Sequence, residues 1–290
     1  MLRYKFIEAV DTKQMLISSS GQKVLNDILF SIYEGNFVPV LREDTDVIVS
    51  SLGQRVAIDN SQNQNPFDVW QENSIAIIPL SGVMFKESFW WSYGVDDIAS
   101  IIECAYQSQK ISAVILKINS PGGAVESLYK IQEVLSNKLK PTYAFIDGSC
   151  CSCAYITASY CDKIYAINRM SQVGSIGIMS KIIIPNKENS EFEIIETYPD
   201  ESKDKNLTVR NAIDGKPELL KEELSKFAQY VIDIVKANRP KISEDALTGK
   251  DYFAYEALEK GMIDGIKPLS EVIAEIDVIN SQRSKLITML

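Results

Sequence analysis

Residues 113–123 read Ala-Val-Ile-Leu-Lys-Ile-Asn-Ser-Pro-Gly-Gly. Up to Ile118 this is an apolar, β-branched run, and Pro121-Gly122 then breaks it, so the stretch predicts a buried strand from Ala113 to Ile118 that ends in a tight loop. Beyond the loop, Val125, Leu128, Ile131 and Leu135 recur at helical spacing and predict a helix with an inward apolar face. The same strand-loop-helix unit lies on either side. Upstream, Ile75 to Leu80 predicts a strand and Val95 to Gln107 a helix carrying Ile98, Ile101 and Ile102; downstream, strand Thr142 to Ile146 leads into a helix starting near Ser152, and strand Lys163 to Ile167 follows. A βαβ series of this kind predicts an α/β fold with right-handed crossovers, in which ligands lie outside the carboxyl ends of the strands. The loops at Gly122 and Ser152 both fall there.

Working outward, residues 1–70 read as an N-terminal extension. Val24, Leu25, Ile28, Leu29 and Ile32 have helical spacing, and the polar stretch from Asp59 to Asn65 reads as a linker. On the other side a strand is expected near Phe192 to Glu196, then a polar loop with Lys203 and Lys205. A long amphipathic helix follows from about Pro217 to Asn238, with Leu220, Leu224, Phe227, Val231 and Val235 on one face and Pro240 as its stop. The chain from Asp245 to Leu290 reads as mostly helical. The expected division is an extension over 1–70, a main domain over 71–268 and a helical C-terminal tail over 269–290.

The chain has 290 residues and no histidine. Ser-His-Asp triads, Cys-His pairs and His-containing zinc sites are thereby excluded, and any nucleophile needs another base. The net charge of -9 supplies no basic stripe for phosphates, so nucleic acid is not an expected partner. No charged-then-apolar signal segment opens the sequence, and apolar runs such as Ser112 to Ile118 fall far short of the roughly 20 residues of a membrane span. A cytoplasmic location is expected. Five cysteines, three of them at Cys150, Cys151 and Cys153, do not form a disulfide framework and suit reduced thiols. No cofactor or metal is expected.

Four blocks in order carry a resemblance. They are Ile118-Asn119-Ser120-Pro121-Gly122-Gly123; Cys151-Ser152-Cys153-Ala154-Tyr155 running on to Asp162-Lys163-Ile164-Tyr165-Ala166; Gly174-Ser175-Ile176-Gly177; and Leu247-Thr248-Gly249-Lys250 through Ala257-Leu258-Glu259-Lys260-Gly261-Met262-Ile263-Asp264. Together they resemble the S49 peptidases, the signal peptide peptidase A family, over about Ile75 to Ile266. The resemblance implies a Clp/crotonase-like fold of stacked βαβ units and a serine endopeptidase with a Ser-Lys dyad. By that resemblance Ser152 is the nucleophile and its base is a lysine some fifty residues later, Lys205, with Lys203 as the alternative. It also implies a homo-oligomeric ring or dome in which one subunit's lysine serves a neighbour's serine. Many relatives place Gly-Gly after the serine, where this chain has Cys153-Ala154.

Residue chemistry agrees with these roles. Gly122 and Gly123 lack Cβ atoms, so the loop Ser120-Pro121-Gly122-Gly123-Ala124 can turn sharply and bring its backbone against an extended polypeptide substrate. The Gly123 amide is a candidate oxyanion donor, and the amide of Cys153, at a helix start, is the second. A lysine acts as a base only when neutral, which requires burial or neighbouring positive charge. Cys150 to Cys153 is also formally a Cys-x-x-Cys at a helix start, the pattern of a thiol-disulfide enzyme, while small thiols filling a tight helix contact are the plainer reading of Cys150 and Cys161. Phe89, Trp90, Trp91 and Tyr93 form an aromatic cluster expected in a core or subunit interface, with a substrate-binding rim as the alternative.

Within the resembled family, membrane-anchored signal-peptide-degrading enzymes stand beside soluble viral enzymes that trim phage scaffold and capsid proteins in the prohead. With no anchor expected and an N-terminal extension in its place, the viral branch is the expected one. A crotonase-like acyl-CoA enzyme and a catalytically silent assembly protein are the alternatives.

Overall fold

The computed structural model of the chain describes residues 14–34, 47–57, 65–89, 93–182 and 197–288. The expected linker residues 59–64, the strand expected near 192–196, and Trp90 and Trp91 lie outside them. In chain order the elements are β1 (Met15–Ile17), α1 (Ser19–Tyr33), β2 (Val47–Ser50), β3 (Arg55–Ala57), β4 (Ser74–Ser81), α2 (Val95–Gln107), β5 (Ile111–Ser120), β6 (Gly122–Ala124), α3 (Leu128–Ser136), β7 (Thr142–Cys151), α4 (Cys153–Ser159), β8 (Lys163–Ala166) and β9 (Gln172–Gly174). They continue with α5 (Leu207–Ile213), α6 (Glu218–Asn238), β10 (Asp251–Phe253), α7 (Ala254–Glu259), β11 (Gly265–Ile266) and α8 (Leu269–Thr288).

The parallel trio β4, β5 and β7 forms the centre, as the βαβ reading requires. Leu80 pairs with Ile118, and Ile118 with Ile146, so all three strands deliver their carboxyl ends to one edge. Alternate side chains then build two cores. Ala76, Ile78, Leu80, Val114, Leu116, Ile118, Ala144 and Ile146 face α2, α3 and α4. On the other face Ile75, Ile77, Ala113, Ile115, Tyr143 and Phe145 pack against Val272 and Ile276 of α8. The predicted tail is therefore a layer of the fold: burying such an aliphatic side chain is worth about 1.5–3 kcal/mol.

Two features go beyond the sequence pattern. First, β7 runs five residues past the predicted Ile146 end to Cys151, because it changes partner: Tyr143–Ile146 pairs with β8, and Ser149–Cys151 with β9. Gly148, at φ +128, lies at that change, and the Asn119 side-chain oxygen accepts the Ser149 N–H at 3.1 Å. Second, parts of the N-terminal extension join the sheets. β2 pairs antiparallel with β4, and β1 pairs antiparallel with β6. The α1 helix packs Leu25, Leu29 and Ile32 against Phe85, Phe89, Ile17 and Ala124. Its cap Ser18 accepts a hydrogen bond from the Gly21 N–H, which the helix itself leaves unpaired.

Along α6 only Val231 and Val235 are buried; Leu220, Leu224 and Phe227 of the predicted apolar face are half-buried. Over its described residues, 245–288, the C-terminal stretch is mostly helical as expected, with β10 and β11 as short strands that its sequence did not suggest.

Candidate active site

Ser152 stands at the junction of β7 and α4 with φ 56 and ψ -120. A non-glycine residue in that region carries strain of about 1–3 kcal/mol and persists only where its surroundings hold it. Here they do. The Ser152 N–H donates to the Gly174 carbonyl at 2.7 Å, the Ser152 carbonyl accepts from Ile156 N–H at 2.9 Å, and the whole of α4 is buried. Ser152 itself is completely buried, and its hydroxyl donates to the Gly177 carbonyl at 3.4 Å. The Gly174-Ser175-Ile176-Gly177 turn thus fixes both the backbone and the hydroxyl of the serine. Gly174 (φ +120) and Ser175 (φ 52) both have left-handed backbones, and Ser175 N–H is tied to the Lys250 carbonyl at 2.9 Å. That contact explains why the fourth sequence block lies near the site.

The glycine loop meets Ser152 from the other side. Ser120 Oγ–H donates to the Gly82 carbonyl at 2.6 Å and accepts the Gly122 N–H at 3.2 Å, holding the turn closed. Gly122 is at φ +95, and a Cβ there would lie 2.9 Å from the Cβ of Ser152 and 2.3 Å from the Leu16 carbonyl oxygen. At Gly123 an added Cβ would come within 1.9 Å of the Met84 carbonyl oxygen. Both glycines are thus demanded by close backbone approach. Met84 N–H donates to the Gly122 carbonyl, and Ala124 N–H to the Met84 carbonyl, each at 2.9 Å. With Gly122 and Ala124 held on the Met84 side, strand alternation turns the Gly123 N–H to the opposite side, toward β1.

The three clustered cysteines are buried and free. Burial pushes the Cys151 and Cys153 thiols up to about 12 and Cys150 well above its ordinary value. These groups are neutral thiols, not the stabilised thiolates of a thiol-disulfide enzyme. Cys153 Sγ points at the Gly123 and Ala124 carbonyls, 3.6 Å from each, and so fills the contact between α4 and β6. The Cys153 and Ala154 side chains are small enough for α4 to pack closely there.

Lys203 and Lys205 are exposed on the stretch before α5. Among the described residues no lysine amine is hydrogen-bonded to Ser152. Phe89, from the aromatic cluster, is buried edge-on against Phe85 with ring centroids 5.0 Å apart.

The sequence reading missed three contributors: β1 alongside the glycine loop, Met84 beneath it, and Met179, whose N–H donates to the Met15 carbonyl at 2.9 Å and whose carbonyl accepts the Met15 N–H at 3.1 Å. The apolar triplet Met15-Leu16-Ile17 ahead of a serine-rich helix start was the available signal for β1. Met84 and Met179 act through backbone atoms and leave no such signal.

A family model described as Peptidase family S49 matches residues 135–282. Among curated proteins the chain is 25% identical over 222 residues to the head-tail preconnector protein GP5 of Enterobacteria phage P21, covering 70% of this chain and 42% of that one. It is 28% identical over 222 residues to Protease 4 of Haemophilus influenzae, covering 73% of this chain and 35% of that one. The chain thus spans less than half the length of these relatives. Among solved structures, a mutant of the 1510-N membrane-bound stomatin-specific protease is similar with a TM-score of 0.46 at 14% identity, covering 71% of this chain and 85% of that one.

Proposed function

Because this chain belongs to peptidase family S49, we propose that it is a serine endopeptidase in which Ser152 attacks the substrate carbonyl and a lysine, Lys205, accepts the proton. Ser152 Oγ bonds to the carbonyl carbon while its proton passes to the amine. The Gly123 and Cys153 amides hold the oxyanion, and the proton then moves to the leaving nitrogen as the peptide C–N bond breaks. Water releases the acyl group from Ser152 by the same route in reverse. The observation that carries this reading is the strained backbone of Ser152, locked between the Gly122 loop and the Gly174–Gly177 turn.

The base comes from a neighbouring subunit of a homo-oligomer. Two facts support that arrangement: Lys205 and Lys203 are exposed in the single chain, and the adjoining α5 and α6 carry exposed apolar residues Val209, Ile213 and Leu219. Covering those residues would also desolvate the lysine, as its neutral form requires. The likeness to a phage head-tail protein favours scaffold or capsid polypeptides as substrates over degraded signal peptides.

The test is hydrolysis of casein and of a prohead scaffold polypeptide by the assembled protein. Ser152→Ala and Lys205→Ala should each abolish it, while Lys203→Ala retains it. Mixing Ser152→Ala with Lys205→Ala subunits should restore part of the activity, since a mixed interface then holds one intact serine and one intact lysine. Undiminished hydrolysis in Ser152→Ala would sink the assignment.

A further inference from the structure

We propose that residues Gln14–Ile17 occupy the substrate groove beside Ser152 as a built-in pseudo-substrate, with Leu16 at the acyl position and Ile17 on the leaving-group side. This rests on the peptidase reading for its functional meaning and on backbone geometry for its substance.

The segment is bound as an extended peptide would be, with backbone bonds on both sides. On one side Met15 exchanges both of its backbone hydrogen bonds with Met179, just beyond the turn that accepts the Ser152 hydroxyl. On the other, β1 runs antiparallel to β6, with Leu16 opposite Gly123. The Gln14 carbonyl accepts from Val125 N–H at 3.1 Å, and Ser18 N–H donates to the Pro121 carbonyl at 2.8 Å, so the pairing extends one residue past each end of β1. Since Met15 directs its polar atoms to Met179, alternation directs those of Leu16 to Gly123. The Leu16 carbonyl is therefore presented to the amide proposed to hold the oxyanion. Its oxygen lies 2.3 Å from the position of a Gly122 Cβ, which is itself 2.9 Å from Ser152 Cβ.

The side chains agree with this register. Leu16 is fully buried within the main core, the environment of a pocket that accepts one mid-sized aliphatic residue. Met15 and Ile17 point to the separate cluster beneath α1. Ser152, the nucleophile, has no exposed surface while this strand is in place. Another polypeptide can reach Ser152 only when residues 14–17 leave, and its apparent affinity falls by the fraction of time the groove is open. The α1 helix, whose Gly21 packs closely on Pro121, holds the segment near the groove at high effective concentration.

The experiment measures groove occupancy directly. A fluorescein-labelled peptide Gln-Met-Leu-Ile-Ser is titrated into the full chain carrying Ser152→Ala, alone and combined with Leu16→Asp or with Met15→Pro. The first addition buries a charge, and the second removes the N–H given to Met179. Each combined variant should bind the peptide at least about tenfold more tightly than Ser152→Ala alone. In Ser152→Ala without a further change, excess peptide should speed hydrogen exchange at the Met15 and Ser18 amides, a readout that needs no substitution in the strand. Equal affinity across the three chains with unchanged exchange, or no binding by any of them, overturns the proposal. Casein hydrolysis by the unmutated chain is scored separately, so a failed peptidase assignment and a failed occupancy claim give different results.

Discussion

Replacing Gly123 by alanine adds one carbon at a place the structure leaves no room for. That carbon would sit 1.9 Å from the Met84 carbonyl oxygen and 2.6 Å from its carbonyl carbon and amide nitrogen, against the 3.0 Å that real Cβ contacts respect. The obstacle is backbone, and β6 is bound to it on both sides of Gly123 through the Gly122 carbonyl and the Ala124 amide. Relief therefore requires β6 and Met84 to separate by about 1 Å, which carries the Gly123 amide away from the oxyanion position. A displacement of that size, or loss of one oxyanion donor, lowers kcat by roughly 100-fold. The overpacking itself should cost about 1–3 kcal/mol of stability. The control is Gly53→Ala in the β2–β3 turn, where φ is +81 and nothing lies within 4 Å of the added carbon. It should cost about 1–2 kcal/mol from backbone strain alone and leave kcat unchanged. Initial rates on a cleaved peptide, read beside urea unfolding curves, separate the two effects. If folded Gly123→Ala keeps kcat within about threefold of the unmutated chain, the assignment of that amide to the oxyanion is refuted.

Three further outcomes are expected. Ser152→Gly should unfold at higher denaturant than Ser152→Ala, by about 1 kcal/mol or more, because only glycine is unstrained at φ 56; equal midpoints would remove the strain from the account. Burial should keep Cys150, Cys151, Cys153 and Cys161 unreactive to a thiol-specific disulfide reagent at neutral pH, leaving partly exposed Cys104 as the reacting position; rapid modification of Cys151 or Cys153 in the folded chain would contradict it. The Lys267 amine, helped by the Tyr165 hydroxyl, holds the Glu275 carboxyl below its ordinary value of 4.5. A lowered carboxylate stabilises the fold above that ordinary value and loses the contribution as pH falls through the folded one. Glu275→Gln should therefore lose less stability than the unmutated chain between pH 6 and pH 3, by under about 1 kcal/mol for so open a pair, as urea midpoints across that range will show.

The βαβ series was legible because its strands carry near-continuous apolar runs and its helices carry one apolar face. Burial on both sides of β5 needs Val114, Ile115 and Leu116 in succession, whereas α2 needs Ile98, Ile101 and Ile102 on one side only. Asp147-Gly148-Ser149 interrupts that pattern, so the second half of β7 carries no strand signal; its pairing to β9 rests on backbone atoms and a left-handed glycine. The same limit hid β1. Met15-Leu16-Ile17 announces burial, but an apolar triplet does not say which strand it will lie against, and its partners Gly123 and Met179 are chosen by backbone shape. Of the candidate site residues, Gly122 and Gly123 stand out in the sequence because a Pro-Gly-Gly break asks for a tight loop, whereas Ser152 is singled out by the resemblance of its block and only then fits a strand-to-helix junction. Lys203 and Lys205 carry no such mark: an exposed lysine on a polar loop looks alike whether or not a neighbouring subunit will cover it.

Strain is the property of Ser152 that no sequence pattern displays, and it explains why the site needs blocks so far apart in the chain. A serine at φ 56 relaxes unless its amide, its carbonyl and the helix behind it are all committed elsewhere. The Gly174 carbonyl takes the amide, α4 takes the carbonyl, and burial of α4 from Cys153 to Ser159 prevents the helix from tilting. Gly174 is held in turn: β9 pairs with β7 on one side and with β10 on the other, where Asp251 lies opposite Gly174, and the Lys250 carbonyl fixes Ser175. The closing block of the sequence therefore acts on Ser152 through two intermediates, β10 on β9 and the β9 end on the Ser152 amide. Loosening β10 should relax the serine backbone without touching a reacting atom, which makes residues 250–252 positioning residues for a hydroxyl some hundred positions earlier in the chain.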